Sequence, residues 1–139
     1  MTTLAELTDA TGVDVLEHLD LEAAIPVVTT AACQGDVSIL RIGTDLPVIA
    51  EGTEPVPADG VAVVAGENGG NTHSLHGNGP IYYEPAPNNG GLALGTLRVP
   101  EGSEAFMLHP EHGAFQFVPG TYQCGRQREM ADEVRTVAD

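Results

Sequence analysis

From residue 26 onward, short runs of β-branched and aromatic residues alternate with Gly, Pro, Asn and Asp, a pattern of strands and turns rather than helices. The runs predict strands over 36–42, 46–50, 60–65, 72–76, 81–84, 92–99, 104–108, 114–118 and 121–126. In the first of these Val37, Ile39 and Arg41 share one face while Ser38, Leu40 and Ile42 share the other, and so apolar a run predicts burial on both faces. Before residue 26 the period is helical. Thr3 and Glu6 are spaced as a capping box, and Leu4, Leu7, Leu16 and Leu19 recur at helical intervals over 3–24, with Gly12 as an interruption. The polar face is strongly acidic (Glu6, Asp9, Asp14, Glu17), so an isolated helix would be marginal. The leucine stripe must therefore dock on the domain's own core or on a neighbouring subunit. Residues 66–71 and 85–91 have the composition of exposed turns, and 129–139 reads as a tail with one or two amphipathic turns. The expected architecture is mainly β, a small antiparallel β sandwich or barrel (26–128) preceded by a short helical arm (1–25) and followed by that tail (129–139).

The 139 residues suit one domain, and the 42% hydrophobic content supports a real core. Charge changes the picture more than size does. With five arginines, no lysine and 20 acidic residues the net charge is −15, which repels phosphate backbones and anionic lipid headgroups. Nucleic acid and membrane surfaces are therefore not expected partners. Association would rest on apolar contacts or on arginines, and Arg126 and Arg128, alternating on the last strand, are the candidates for a contact with an acidic neighbour. Cys33 and Cys124 lack any metal-ligand spacing and are expected as buried thiols, linked only if their strands are neighbours. The first residues carry no basic region followed by an apolar stretch, and no run reaches membrane-spanning length, so synthesis and retention in the cytoplasm are expected.

Candidate chemistry lies in the histidines. Four of the five form two pairs of equal spacing, His73-Ser-Leu-His76 and His109-Pro-Glu-His112. Imidazole is the commonest side-chain metal ligand and titrates near neutral pH, so the pairs raise a metal or acid/base site. Residues three apart on a strand point to opposite faces, and Pro110 and the glycines disfavour a helix, so neither pair is expected to chelate one ion by itself. The expected geometry takes one histidine from each pair, His73 with His109, supplemented by Glu84, Glu111 or water. The competing expectation has the imidazoles donating hydrogen bonds at strand ends and in the 108–113 turn. No Gly-x-Ser-x-Gly elbow, HExxH or phosphate-cradling loop is present, and nothing around Cys124 marks an activated thiol.

The stretch from Gly66 through His73 and His76, with His109 and Pro119-Gly120 downstream, resembles the layout of cupins, whose metal site lies inside a small jelly-roll-like barrel. The pair here is HxxH rather than HxH, Pro80 stands where a cupin has glutamate, and Pro119-Gly120 follows His109 instead of preceding the last ligand. Gln34-Gly-Asp-Val37, the two histidine pairs, Val118-Pro-Gly-Thr-Tyr122 and Arg126-Gln-Arg-Glu129 are together similar to a group of short β-rich proteins of actinobacteria and their tailed phages, over about residues 33–139. That resemblance implies a compact β domain and, in a phage setting, a virion accessory role. The expected function is accordingly non-enzymatic: a capsid-decorating or minor capsid protein without cofactor, held on a major capsid protein lattice or as a small homo-oligomer through Leu4, Leu7, Leu16, Leu19, Arg126 and Arg128. The alternatives are a cupin-like enzyme or ligand sensor holding one divalent transition metal at His73, His109, His76 or His112, and a small cytoplasmic binding module.

Overall fold

The computed structural model describes residues 3–15, 19, 21–64, 72–87 and 93–126. Among these residues one short helix is followed by ten strands, arranged as two five-stranded sheets that do not close into a barrel. In chain order they are α1 (Leu4–Thr11), β1 (Val27–Val28), β2 (Ala31–Gln34), β3 (Val37–Arg41), β4 (Val61–Val64), β5 (His73–Asn78), β6 (Tyr82–Pro85), β7 (Ala93–Val99), β8 (Glu104–His109), β9 (Gly113–Phe117) and β10 (Gly120–Arg126). Sheet I runs β1-β9-β8-β5-β4 and sheet II runs β2-β3-β10-β7-β6. All pairings are antiparallel except β1 with β9. Of the two expected forms, the protein is the sandwich.

Alternation along the strands builds the core. Val37 and Ile39 of β3, Leu97 and Val99 of β7, and Tyr122 and Cys124 of β10 point inward from sheet II. They meet Leu75, Ala105, Met107 and Phe117 of sheet I. The predicted two-sided burial of β3 is wrong: Val37 and Ile39 are buried, but Leu40 on the other face is 52% exposed. The strand buried on both faces is β8, whose Ala105 and Met107 enter the central core while Phe106 and Leu108 enter a second one.

That second core is the destination of the leucines. Thr3 caps α1 by accepting the Glu6 amide at 3.2 Å, and Gly12, with φ of 73°, ends it in the left-handed region that glycine adopts without strain. The helix is much shorter than the helical pattern over 3–24. Leu4 and Leu7 are buried with Ile25, Phe106, Leu108 and Ala114 on the outer face of sheet I, and Leu19 packs against the same cluster. Leu4 and Leu7 thus dock on their own domain and are not a surface for a partner, while Leu16 lies outside the described residues.

Eight of the nine predicted strands are present, although β4, β7 and their neighbours differ at the ends. Residues 46–50 form none, since Pro47 has no amide to pair and Val48 is 89% exposed. The short β1 and β2 went unpredicted. Cys124 is buried, but Cys33 is exposed, against expectation, and β3 separates its strand from that of Cys124, so both are free thiols. Among the described residues no helix is long and apolar enough to cross a membrane.

Candidate functional site: an imidazole-lined pocket

At one end of the sandwich the β2–β3 turn of sheet II faces the β8–β9 turn of sheet I. Gly35 occupies the first turn with φ of 58°, flush against two imidazoles: a Cβ there would lie 2.9 Å from His112 and 3.4 Å from His73. The second turn is the three-residue loop 110–112, closed by the His109–Gly113 pair, with Gly113 at φ of 85°. His73 arrives from the start of β5, beside Val64. Arg126 ends β10 opposite Val37. Together these groups, with Asp36 and Glu111, line a pocket of about 290 Å³.

Three imidazoles meet there. Ring centroids are 4.3 Å apart for His73 and His109, 4.5 Å for His109 and His112, and 6.4 Å for His73 and His112. The expectation of one histidine from each pair is therefore corrected for the second pair. His109 ends a strand and 110–112 is a turn, so strand alternation does not apply and the chain brings both rings to the same side. For the first pair alternation does apply: His73 enters the pocket, whereas His76 lies on the opposite face of β5.

Hydrogen bonds set the tautomers. Gln34 donates its amide nitrogen to the carbonyls of Met107 and Gly113, each at 3.1 Å, crossing from sheet II to sheet I. Its oxygen is thereby turned to His73 Nδ1 at 2.9 Å, so that nitrogen must be the donor. His73 Nε2 keeps its lone pair and has no partner among the described residues. His109 is set the opposite way. Its Nδ1 accepts the amides of Glu111 at 3.0 Å and His112 at 3.1 Å, rather than donating as expected, which leaves the proton on Nε2. Burial holds the His73 pKa down to about 4, assisted by the neighbouring His109 and His112 and opposed by Asp36. At neutral pH His73 is uncharged.

These tautomers bear on metal chemistry. With its proton on Nε2, His109 would have to give up two backbone hydrogen bonds to coordinate, so His73 with His109 does not fit as a ligand pair. Glu84 stands on β6 and lines a different pocket, while Glu111 does reach this one. Among the described residues no three His, Cys, Asp or Glu side chains are placed to hold a metal ion.

The remaining candidates lie elsewhere. His76 Nε2 is 2.8 Å from Ser74 Oγ, and its buried Nδ1 has no hydrogen-bond partner among the described residues. Burial lowers its pKa, opposed by Asp59. Gly60, at φ of 87°, packs directly on this ring. Burial pushes the Cys124 thiol up to about 12, so it is not an activated nucleophile. Arg126 lines the imidazole pocket, and Arg128 lies outside the described residues. Gln34, Gly35 and Asp36 were missed as site residues, although their Gln-Gly-Asp-Val setting was visible as a turn between two short apolar runs.

The molecule is thus a two-sheet β sandwich with a preformed, imidazole-lined polar pocket at one end. The chain belongs to the family described as a domain of unknown function, DUF8820, whose model matches residues 33–127. The matched span includes every residue of the pocket and leaves out α1 and β1. No curated protein and no solved structure matches the chain.

Proposed function

We propose that this chain is a non-enzymatic binding domain, and that the imidazole pocket is where it holds its ligand. The observation that carries this reading is the treatment of His73. A packing histidine needs only to have its polar atoms satisfied, yet here Gln34 fixes Nδ1–H through three hydrogen bonds and leaves Nε2 as a lone pair in a ring that lines a pocket. The pairing of a fixed Nδ1–H with an open Nε2 prepares the ring to accept a hydrogen bond from a ligand N–H or O–H. The test uses acetamide, a small neutral hydrogen-bond donor, as the probe and histidine ring resonances as the readout. Saturable changes are expected at His73, with His76 unmoved, and they should vanish in His73→Ala. Unchanged His73 resonances, or changes that survive that substitution, overturn the proposal.

A second reading concerns the surface. Attachment to a protein lattice, as in capsid decoration, is supported by the apolar groups left exposed at Leu40, Ile42, Leu46 and Val48. Co-sedimentation with assembled capsids should then occur and should be lost in Leu40→Asp and Val48→Asp. Failure of the unaltered chain to pellet removes this reading.

A further inference from the structure

A second concave site lies on sheet II, away from the histidines. The chain after β3 folds over β6 and β7, and a turn in which Thr53 bonds the Ala50 carbonyl through both its amide and its hydroxyl fixes one wall. Val56, bonded to the Ile81 carbonyl at 2.8 Å, ties this segment to the sheet. Under it is a pocket of about 180 Å³, walled by Val48, Ile49 and Ala50, and floored by Tyr82 and Arg98, which are direct cross-strand neighbours. Glu84 lines the same pocket.

Thr53 and Tyr83 spend their hydroxyls on backbone carbonyls, but three other polar side chains of this pocket are unengaged among the described residues. Arg41 donates to the carbonyls of Thr29 and Pro119, and Arg126 also has a partner, but the Arg98 guanidinium has none among the described residues. The Tyr82 hydroxyl and the Glu84 carboxylate are equally unpaired among the described residues. A shortage of acids does not explain this, because the chain carries 20 of them and one shares the pocket without forming an ion pair. A half-buried guanidinium presents a planar fork that matches a carboxylate bidentately, and an opposing carboxylate held apart from it suits an ammonium. Free anions are repelled by a protein of net charge −15, whereas a molecule carrying both charges is not. The volume is below that of sites for drug-sized ligands, roughly 300 Å³ and upward. It suits a metabolite of few atoms.

We propose that this pocket binds a free α-amino acid with a small apolar side chain, its carboxylate on Arg98 and Tyr82, its ammonium on Glu84, and its side chain against Ile49 and Ala50. The probes are L-valine and its two halves, isovalerate, which lacks the ammonium, and isobutylamine, which lacks the carboxylate. Titration is followed by NMR at the Arg98 Nε–H and the Tyr82 amide. L-Valine should give saturable shifts that disappear in Arg98→Gln, while isovalerate, or L-valine with Glu84→Gln, should bind about tenfold more weakly. His73→Ala should leave the response intact, which separates this site from the imidazole pocket. No saturable shift with L-valine, equal binding of L-valine and either half-molecule, or shifts that persist in Arg98→Gln overturn the proposal.

Discussion

At the scale of single residues, the most consequential group is the imidazole of His73, buried uncharged with a pKa held to about 4 against an ordinary 6.5. An imidazole whose folded pKa is depressed binds fewer protons folded than unfolded, so stability is lost as pH falls through 6.5 and the loss is complete near pH 4. Over that window the group costs the fold about 3 kcal/mol. Denaturant titrations at pH 7 and pH 4 should show His73→Gln losing less stability on acidification than the unaltered chain, by a difference of that order. Equal losses would show that the ring is not buried neutral. Sequence spacing revealed that His73 and His76 part company, because both stand on one regular strand. It did not reveal the meeting of His109 and His112, since that depends on a turn bent by its own hydrogen bonds to His109 Nδ1.

The two cysteines separate at this scale too. Cys33 is exposed and Cys124 is sealed in the core with its thiol pKa raised. A thiol reagent at pH 8 should modify one cysteine per native chain and two after denaturation. Two fast-reacting thiols in the native chain would contradict the packing of β10.

At the scale of elements, α1 functions as a cover. Without it Phe106, Leu108 and Ala114 would present apolar surface on the outer face of sheet I. Leu7→Ala should cost roughly 2–5 kcal/mol, measured by denaturant unfolding. A cost near zero would mean that the helix is dispensable. The strands were legible where β-branched residues lie between turn residues, as in β3 and β4. Those that were missed had no such pattern. β1 is two residues, stabilised by parallel pairing with β9, and β2 reads Ala-Ala-Cys-Gln, with little β propensity of its own. Conversely, 46–50 has apolar composition but no neighbouring strand, and becomes the wall of the Arg98 pocket instead.

At the scale of the whole molecule the two faces differ: one sheet is covered by the N-terminal arm, the other carries Leu40 in the open. The tie between the sheets at the imidazole pocket also has a bearing on how the chain reaches this state. Gln34 bonds carbonyls 73 and 79 residues further along. Loops of that length close late, after local hairpins such as β6–β7 and β8–β9 can already have formed. During synthesis Gln34 emerges long before Met107 and Gly113 exist. His73 therefore acquires its fixed tautomer only after Gly113 has been made, and the appearance of that ring's native resonance marks a late step of folding rather than its beginning.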